Sequence, residues 1–146
     1  MKMTNEEYRA YAEKHMPRSH SRRDAWRAFL VGGGICALGQ AFTELYLYLG
    51  LEKDLALASC SVTLIFIGAL LTGLGIYDKI AKFAGAGTLV PITGFSNSVV
   101  APALEFKTEG MVLGTAAKMF IISGPVIVFG TSASVVYGLV YWICTL

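Results

Sequence analysis

Side chains that can hydrogen-bond are scarce in the apolar parts of this 146-residue chain, and where they occur they gather in two places. Residues 83–104 read FAGAGTLVPITGFSNSVVAPAL and bring Thr93, Ser96, Asn97 and Ser98 together with Pro91, Gly94 and Pro102. Hydroxyls and a carboxamide can hold a polar solute or re-satisfy backbone groups freed by Pro and Gly. The second place is Gln40 and Glu44, one helical turn apart. Either Glu44 marks the outer end of an apolar helix, or the pair lines a polar path, as an ionisable residue near a membrane often does.

Catalytic patterns are missing. No HExxH, GxSxG, GxxxxGK[ST] or paired CxxC occurs, and Gly85-Ala86-Gly87 is no dinucleotide fingerprint because Val90 stands in place of the third glycine. Cys36, Cys60 and Cys144 fall in apolar stretches and read as buried thiols, and His15 and His20 lack further ligands nearby. The expectation is a protein with no catalytic residues, no metal and no cofactor.

The elements that must position the polar residues are membrane-spanning helices. Hydrophobic residues make up 55% of the chain and charged residues 15%, against about 25% charged in soluble domains. Four stretches, 28–43, 55–77, 83–104 and 119–146, contain no Asp, Glu, Lys or Arg, and a spanning helix needs about 20 apolar residues. The first span is expected over about 26–48, with Trp26 at one interface and Tyr46 and Tyr48 at the other. Gly32 and Gly33 within it invite close approach of a neighbouring helix. The second is expected over about 55–77, and the last over about 119–143, where Gly130, Ser134 and Gly138 form a ridge of small residues at intervals of four. Gly110 and Gly114 give a further GxxxG spacing, and Gly124-Pro125 predicts a kink. Residues 83–104 are long enough to span but too rich in Gly and Pro for a continuous lipid-facing helix. Two half-helices flanking a non-helical stretch near 91–97 are expected there. The fold class is therefore an all-α, polytopic membrane protein with three or four spans and a broken or re-entrant centre.

Seven of the twelve Lys and Arg precede residue 28: Lys2, Arg9, Lys14, Arg18, Arg22, Arg23 and Arg27. This places the N-terminus on the cytoplasmic side. Residues 1–25 read as a cytosolic segment and 26–146 as the membrane domain. Within the former, Thr4 and Glu7 have capping-box spacing, Tyr8, Ala12 and Met16 form a weak apolar stripe, and Pro17 ends the helix. Interleaved acids argue against a nucleic-acid surface. Lys79 and Lys82 on one polar junction and Lys107 and Lys118 on the next do not distinguish three crossings from four.

Several segments resemble the stage V sporulation AC and AE-b membrane protein family of spore-forming Firmicutes. They are FLVGGGICALGQ (29–40), LTGLGIYD (71–78) with FAGAG (83–87), VPITGFSNS (90–98), ALE (103–105) with EGMVLG (109–114), and VIVFG (126–130). The FAGAG…VPITGFSNS signature is specific to it, and the polar N-terminal segment points to the AC branch.

The resemblance implies residence in the inner spore membrane and sister subunits encoded in the same sporulation operon. It implies a tension-responsive channel that moves dipicolinic acid with calcium into the forespore and releases it on germination. Such a small chain would act as a homo- or hetero-oligomer in contact with lipid. Dipicolinate carries two carboxylates, so its path needs donors or fixed dipoles. Under this reading Pro91, Thr93, Gly94, Ser96, Asn97 and Ser98, with Gln40 and Glu44, are the candidate path residues. A scaffold that never touches solute is the alternative.

Overall fold

The computed structural model describes residues 4–15 and 20–145, which are helical with no strand among them. Helix α1 spans Asn5–His15 and α2 spans Ser21–Tyr48. The capping box of α1 forms as its spacing predicts: the Thr4 amide donates to Glu7 Oε2 at 2.9 Å, and the Glu7 amide donates to Thr4 Oγ1 at 3.4 Å. Met16 and Pro17 lie outside the described residues. Helix α2 starts five residues before the expected span, because Ser21–Ala25 is polar but contains nothing that breaks a helix.

Helix α3, Lys53–Gly73, returns antiparallel to α2 after a tight connection. Gly50 (φ 88°) lets the Leu51 amide reach the Tyr46 carbonyl and the Gly50 amide that of Leu47, a Schellman ending. Gly75 (φ 67°) ends α3 the same way, with Ile76 donating to Leu71. The second span therefore stops before the expected residue 77. Helix α3 buries Ala56, Cys60, Leu64 and Gly68, four residues apart and hence along one face. That face takes α2 on one side: Cys60 Sγ donates to the Gly39 carbonyl at 3.2 Å, and the Tyr46 hydroxyl meets Thr63 Oγ1 at 2.7 Å.

The centre is broken, but not where the sequence places the break. Helix α4, Tyr77–Ala84, ends at Gly85 (φ 54°), a short 3₁₀ turn covers Gly85–Thr88, and α5 then runs unbroken over Pro91–Glu105. The expected non-helical stretch at 91–97 is instead residues 85–90. Pro91 occupies the first helical position, where its missing N–H costs nothing and its φ suits a helix, so it starts α5 where an interruption was expected. Pro102 lies close enough to the C-terminus of α5 to be accommodated.

After α5, a 3₁₀ turn at Lys107–Glu109 and a π-helical turn at Met111–Ala116 lead into α6, Ala117–Thr145. Helix α6 continues through Pro125, and from Pro125 onward its side chains are exposed. It touches the rest of the fold through α5 and the π turn.

Three helical segments are long and apolar enough to cross a membrane: Ser21–Tyr48, Lys53–Gly73 and Met111–Thr145. Helix α5 is 15 residues, about 22 Å, too short for a core about 30 Å thick. Helices α4 and α5 form a hairpin; Asp78 in the first turn of α4 and Glu105 at the end of α5 line the same cavity, so the hairpin enters and leaves from one side. Arg27 lies over the Phe83 ring (4.7 Å), which brings the first polar junction to the start of α2. The cavity shared by Asp78 and Glu105 sets the second junction, where Lys118 lies over Phe106 (4.4 Å), beside it. The two lysine pairs that could not discriminate topology in the sequence thus share a side with Arg22, Arg23 and Arg27.

Thr4 holds the Glu7 carboxyl below its ordinary pKa through the backbone amide first and the hydroxyl second. A lowered pKa means the cap is present above the ordinary carboxylate range and lost as pH falls through the lowered value. Cα chemical shifts of residues 4–8 should move toward coil over that acid range, and Glu7→Gln should abolish the pH dependence.

Candidate functional site: the re-entrant segment and its polar neighbours

The 3₁₀ turn is seated by backbone contact. A Cβ on Gly87 would stand 2.5 Å from the Ala28 carbonyl oxygen and 2.7 Å from its Cα, and one on Gly32 would stand 3.2 Å from the Gly87 carbonyl oxygen. Ala28 and Gly32, one turn apart on α2, form a small-residue notch into which the turn fits. The buried Tyr77 hydroxyl donates to the Thr88 carbonyl at 2.9 Å, satisfying a backbone group that the break leaves free. Gly32 therefore has a partner within its own chain, whereas Gly33 has nothing within 4 Å.

Helix α5 is packed closely on α3. A Cβ on Gly68 would meet Ser96 Cβ, Ser96 Oγ and the Thr93 carbonyl, each at 3.3 Å. Ser96 Oγ donates to the Ile65 carbonyl at 2.9 Å. The Thr72 hydroxyl has one proton and two acceptors, the Gly68 carbonyl at 2.7 Å and Asn97 Oδ1 at 2.9 Å. Turning the Asn97 amide over makes its Nδ2 the donor to Thr72 and leaves the hydroxyl proton to Gly68. Ser98 Oγ donates to the Phe95 carbonyl within the helix. Gly94 lies against the preceding turn, where a Cβ would stand 2.8 Å from the Thr88 oxygen.

The candidate path residues at 91–98 are thus brought together, but Ser96 and Ser98 are spent on backbone carbonyls and Asn97 on a helix contact. Thr93 differs. It is 5% exposed, and its Oγ1 has no hydrogen-bond partner. It faces an apolar cavity of about 440 Å³ between α2, α3, α4 and α5. Asn97 borders a separate cavity, about 460 Å³, with Thr72, Asp78 and Glu105.

Gln40 and Glu44 stand apart from this cluster. Gln40 Nε2 donates to Glu44 Oε1 at 2.7 Å, and both side chains are exposed. Gly33, Ala37, Gln40 and Glu44 recur at intervals of four, three and four, so they form one exposed face of α2 composed of small and polar residues.

The remaining packing candidates are separated. Gly110 (φ 97°) makes a turn, and Gly114 sits in the π turn, where a Cβ would stand 2.5 Å from the Phe106 oxygen. Their GxxxG spacing serves a folded-back connection and not a helix pair. Gly130, Ser134 and Gly138 are exposed on α6; the two glycines have nothing within 4 Å, and Ser134 Oγ donates to the Gly130 carbonyl. Among the described residues no three His, Cys, Asp or Glu side chains could hold a metal ion together. Sequence reasoning missed the seat at Ala28 and the tether from Tyr77. The four-residue spacing of Ala28 and Gly32 was the available signal for the first; nothing local marks the second.

A bundle of three long apolar helices around a re-entrant hairpin, with its cationic residues concentrated at one end, defines a multi-pass helical membrane protein. The chain belongs to the SpoVAC/SpoVAEB sporulation membrane protein family, which it matches over residues 24–140. It is 46% identical over 141 residues to stage V sporulation protein AC of Bacillus subtilis (strain 168), covering 94% of each chain. No solved structure matches it.

If contact at Gly87 and Gly94 seats the hairpin, Gly87→Leu and Gly94→Leu should each destabilise the detergent-solubilised protein by about 1–3 kcal/mol, the usual cost of overpacking. Ser96→Ala should cost about 0.6 kcal/mol, typical of one interhelical hydrogen bond in a membrane. Gly33→Leu should leave thermal unfolding unchanged.

Proposed function

We propose that the chain is a subunit of a channel in the inner (fore)spore membrane that passes dipicolinic acid, accompanied by calcium, and that the passage forms between subunits. The observation that carries this reading is the exposed Gln40–Glu44 pair on the small-residue face of α2. A carboxylate on a spanning helix is costly against lipid and is expected to face water or another subunit. The amide N–H groups of Gln40 can donate to a solute carboxylate, and the Glu44 carboxylate suits the accompanying cation. Residues 91–98, packed against α3, then act by holding the hairpin and not by touching solute.

The second reading, a scaffold that passes nothing, is favoured by that same dry packing of Ser96 and Asn97. Release of calcium dipicolinate from vesicles containing the purified protein, with and without its operon partners, separates the two. The channel reading expects Gln40→Leu with Glu44→Leu to cut release at least about tenfold at unchanged protein level, equivalent to about 1.4 kcal/mol. Release that is absent from every combination of subunits, or unaffected by the double substitution, removes this face from the path.

The orientation is proposed with the cationic end in the cytoplasmic compartment, the spore core side. With three spans, the two ends of the described chain lie on opposite sides. In a variant lacking Cys36 and Cys60, an impermeant maleimide should label Cys144 on intact cells, and a His20→Cys variant also lacking Cys144 only after permeabilisation.

A further inference from the structure

The apolar cavity behind Thr93 has no place in the reading above, and its construction identifies an occupant. It holds about 440 Å³, within the range of about 300–1,000 Å³ typical of ligand sites. Gly34 and Leu38 of α2, Leu71 of α3 and Ile80 of α4 are among its walls. Tyr77 and Thr93 are the polar residues in the lining; the Tyr77 hydroxyl is already bonded to Thr88, and the buried Thr93 Oγ1 has no partner.

The cavity is a groove and not a closed void, since Gly34 and Leu38 in its wall are exposed, and an apolar groove of this kind is a poor home for water. Its walls on α2 and α3 belong to helices long and apolar enough to cross a membrane, so acyl chain is the medium expected at its mouth. The lining face of α2 (Val31, Gly34, Ile35, Leu38) lies about 150° around the helix from Gln40 and Glu44, at 3.6 residues per turn. Toward the cationic end the same face continues through Ala28, Arg27 and Asp24 into a second cavity of about 510 Å³ that also takes in Lys82 and Phe83. Arg27 and Lys82 line it with Asp24. Lys82 Nζ pairs with Asp78 Oδ2 at 2.7 Å and Arg23 with Asp24 at 3.8 Å, all on exposed side chains. With adjacent Arg22 the cations outnumber the acids by four to two.

We propose that the groove between α2 and α4 is a binding site for an anionic phospholipid. The headgroup sits at Arg27 and Lys82, an acyl chain fills the cavity beside Gly34 and Leu38, and the Thr93 hydroxyl donates to an oxygen of the lipid. Cationic groups at a cytoplasmic interface attract anionic headgroups, and burial of methylenes supplies the affinity. The site is independent of whether the protein conducts a solute.

The test is native mass spectrometry of the full chain released from nanodiscs containing equal phosphatidylethanolamine and phosphatidylglycerol. The wild type should retain one phospholipid per chain, with phosphatidylglycerol preferred. A Cβ on Gly34 meets nothing within 4 Å, so Gly34→Phe should fill the cavity, keep the fold, and cut retained lipid at least about tenfold. Leu38→Trp is a second filling variant. Thr93→Val should weaken retention about fivefold, as loss of one hydrogen bond does. Arg27→Gln should abolish the preference for phosphatidylglycerol while lipid is still retained. The proposal fails if the wild type retains no lipid, or if both filling variants retain as much as the wild type. It also fails if they dissociate an oligomer without changing lipid count, which would make a second copy of the chain the occupant.

Discussion

A polypeptide inside a bilayer has no water to satisfy the backbone groups that a helix break exposes, and the arrangement of this protein follows from meeting that demand at one place. Residues 85–90 are non-α-helical where they meet the first turns of α2, with Gly87 and Thr88 buried. They are tolerated because the turn sits against the backbone of Ala28 and Gly32, and because Tyr77 covers the Thr88 carbonyl. Both contacts need atoms within a few ångströms of main chain, and small residues supply the room. The glycines at 32 and 87 are therefore parts of one joint, separated by 55 positions in the sequence.

From that joint the rest is constrained. With Gly87 held on α2, α5 must start beside α3 and lie along it, and Gly68 admits Ser96 there. Since α4 and α5 return to one side, Lys79, Lys82, Lys107 and Lys118 collect near Arg22, Arg23 and Arg27, whereas the α2–α3 loop carries Glu52, Lys53 and Asp54. The charge asymmetry that orients a membrane protein is thus a product of the hairpin as well as of the N-terminal segment.

Polar side chains divide accordingly into two populations. Ser96, Thr72 and Asn97 are consumed in holding α3 and α5 together, and Ser98 in a bond within α5. Gln40 and Glu44 are directed away from the bundle, and the described residues of α6 from Pro125 onward are exposed. A single chain with this distribution encloses little and leaves much surface for lipid and other subunits. Exposure on such a scale would be ruinous in water, but it is ordinary in a medium as apolar as the side chains themselves.

The sequence alone determined the class of protein, the three long helices and the existence of a break, because apolar length and Gly/Pro content are local quantities. The family resemblance was likewise carried by contiguous motifs, above all residues 83–98. The position of the break escaped it: Pro91 is compatible with a kink, an interruption or a helix start, and what selects the last is that Gly85 and Gly87 can turn the chain against α2 first. The crossing number was equally illegible, since lysines at two junctions carry no mark of which side they share. The candidate site fared similarly. Sequence grouped Thr93, Ser96, Asn97 and Ser98 by type, but whether a hydroxyl is free or spent depends on which carbonyl comes to face it, and only the tertiary structure decides that.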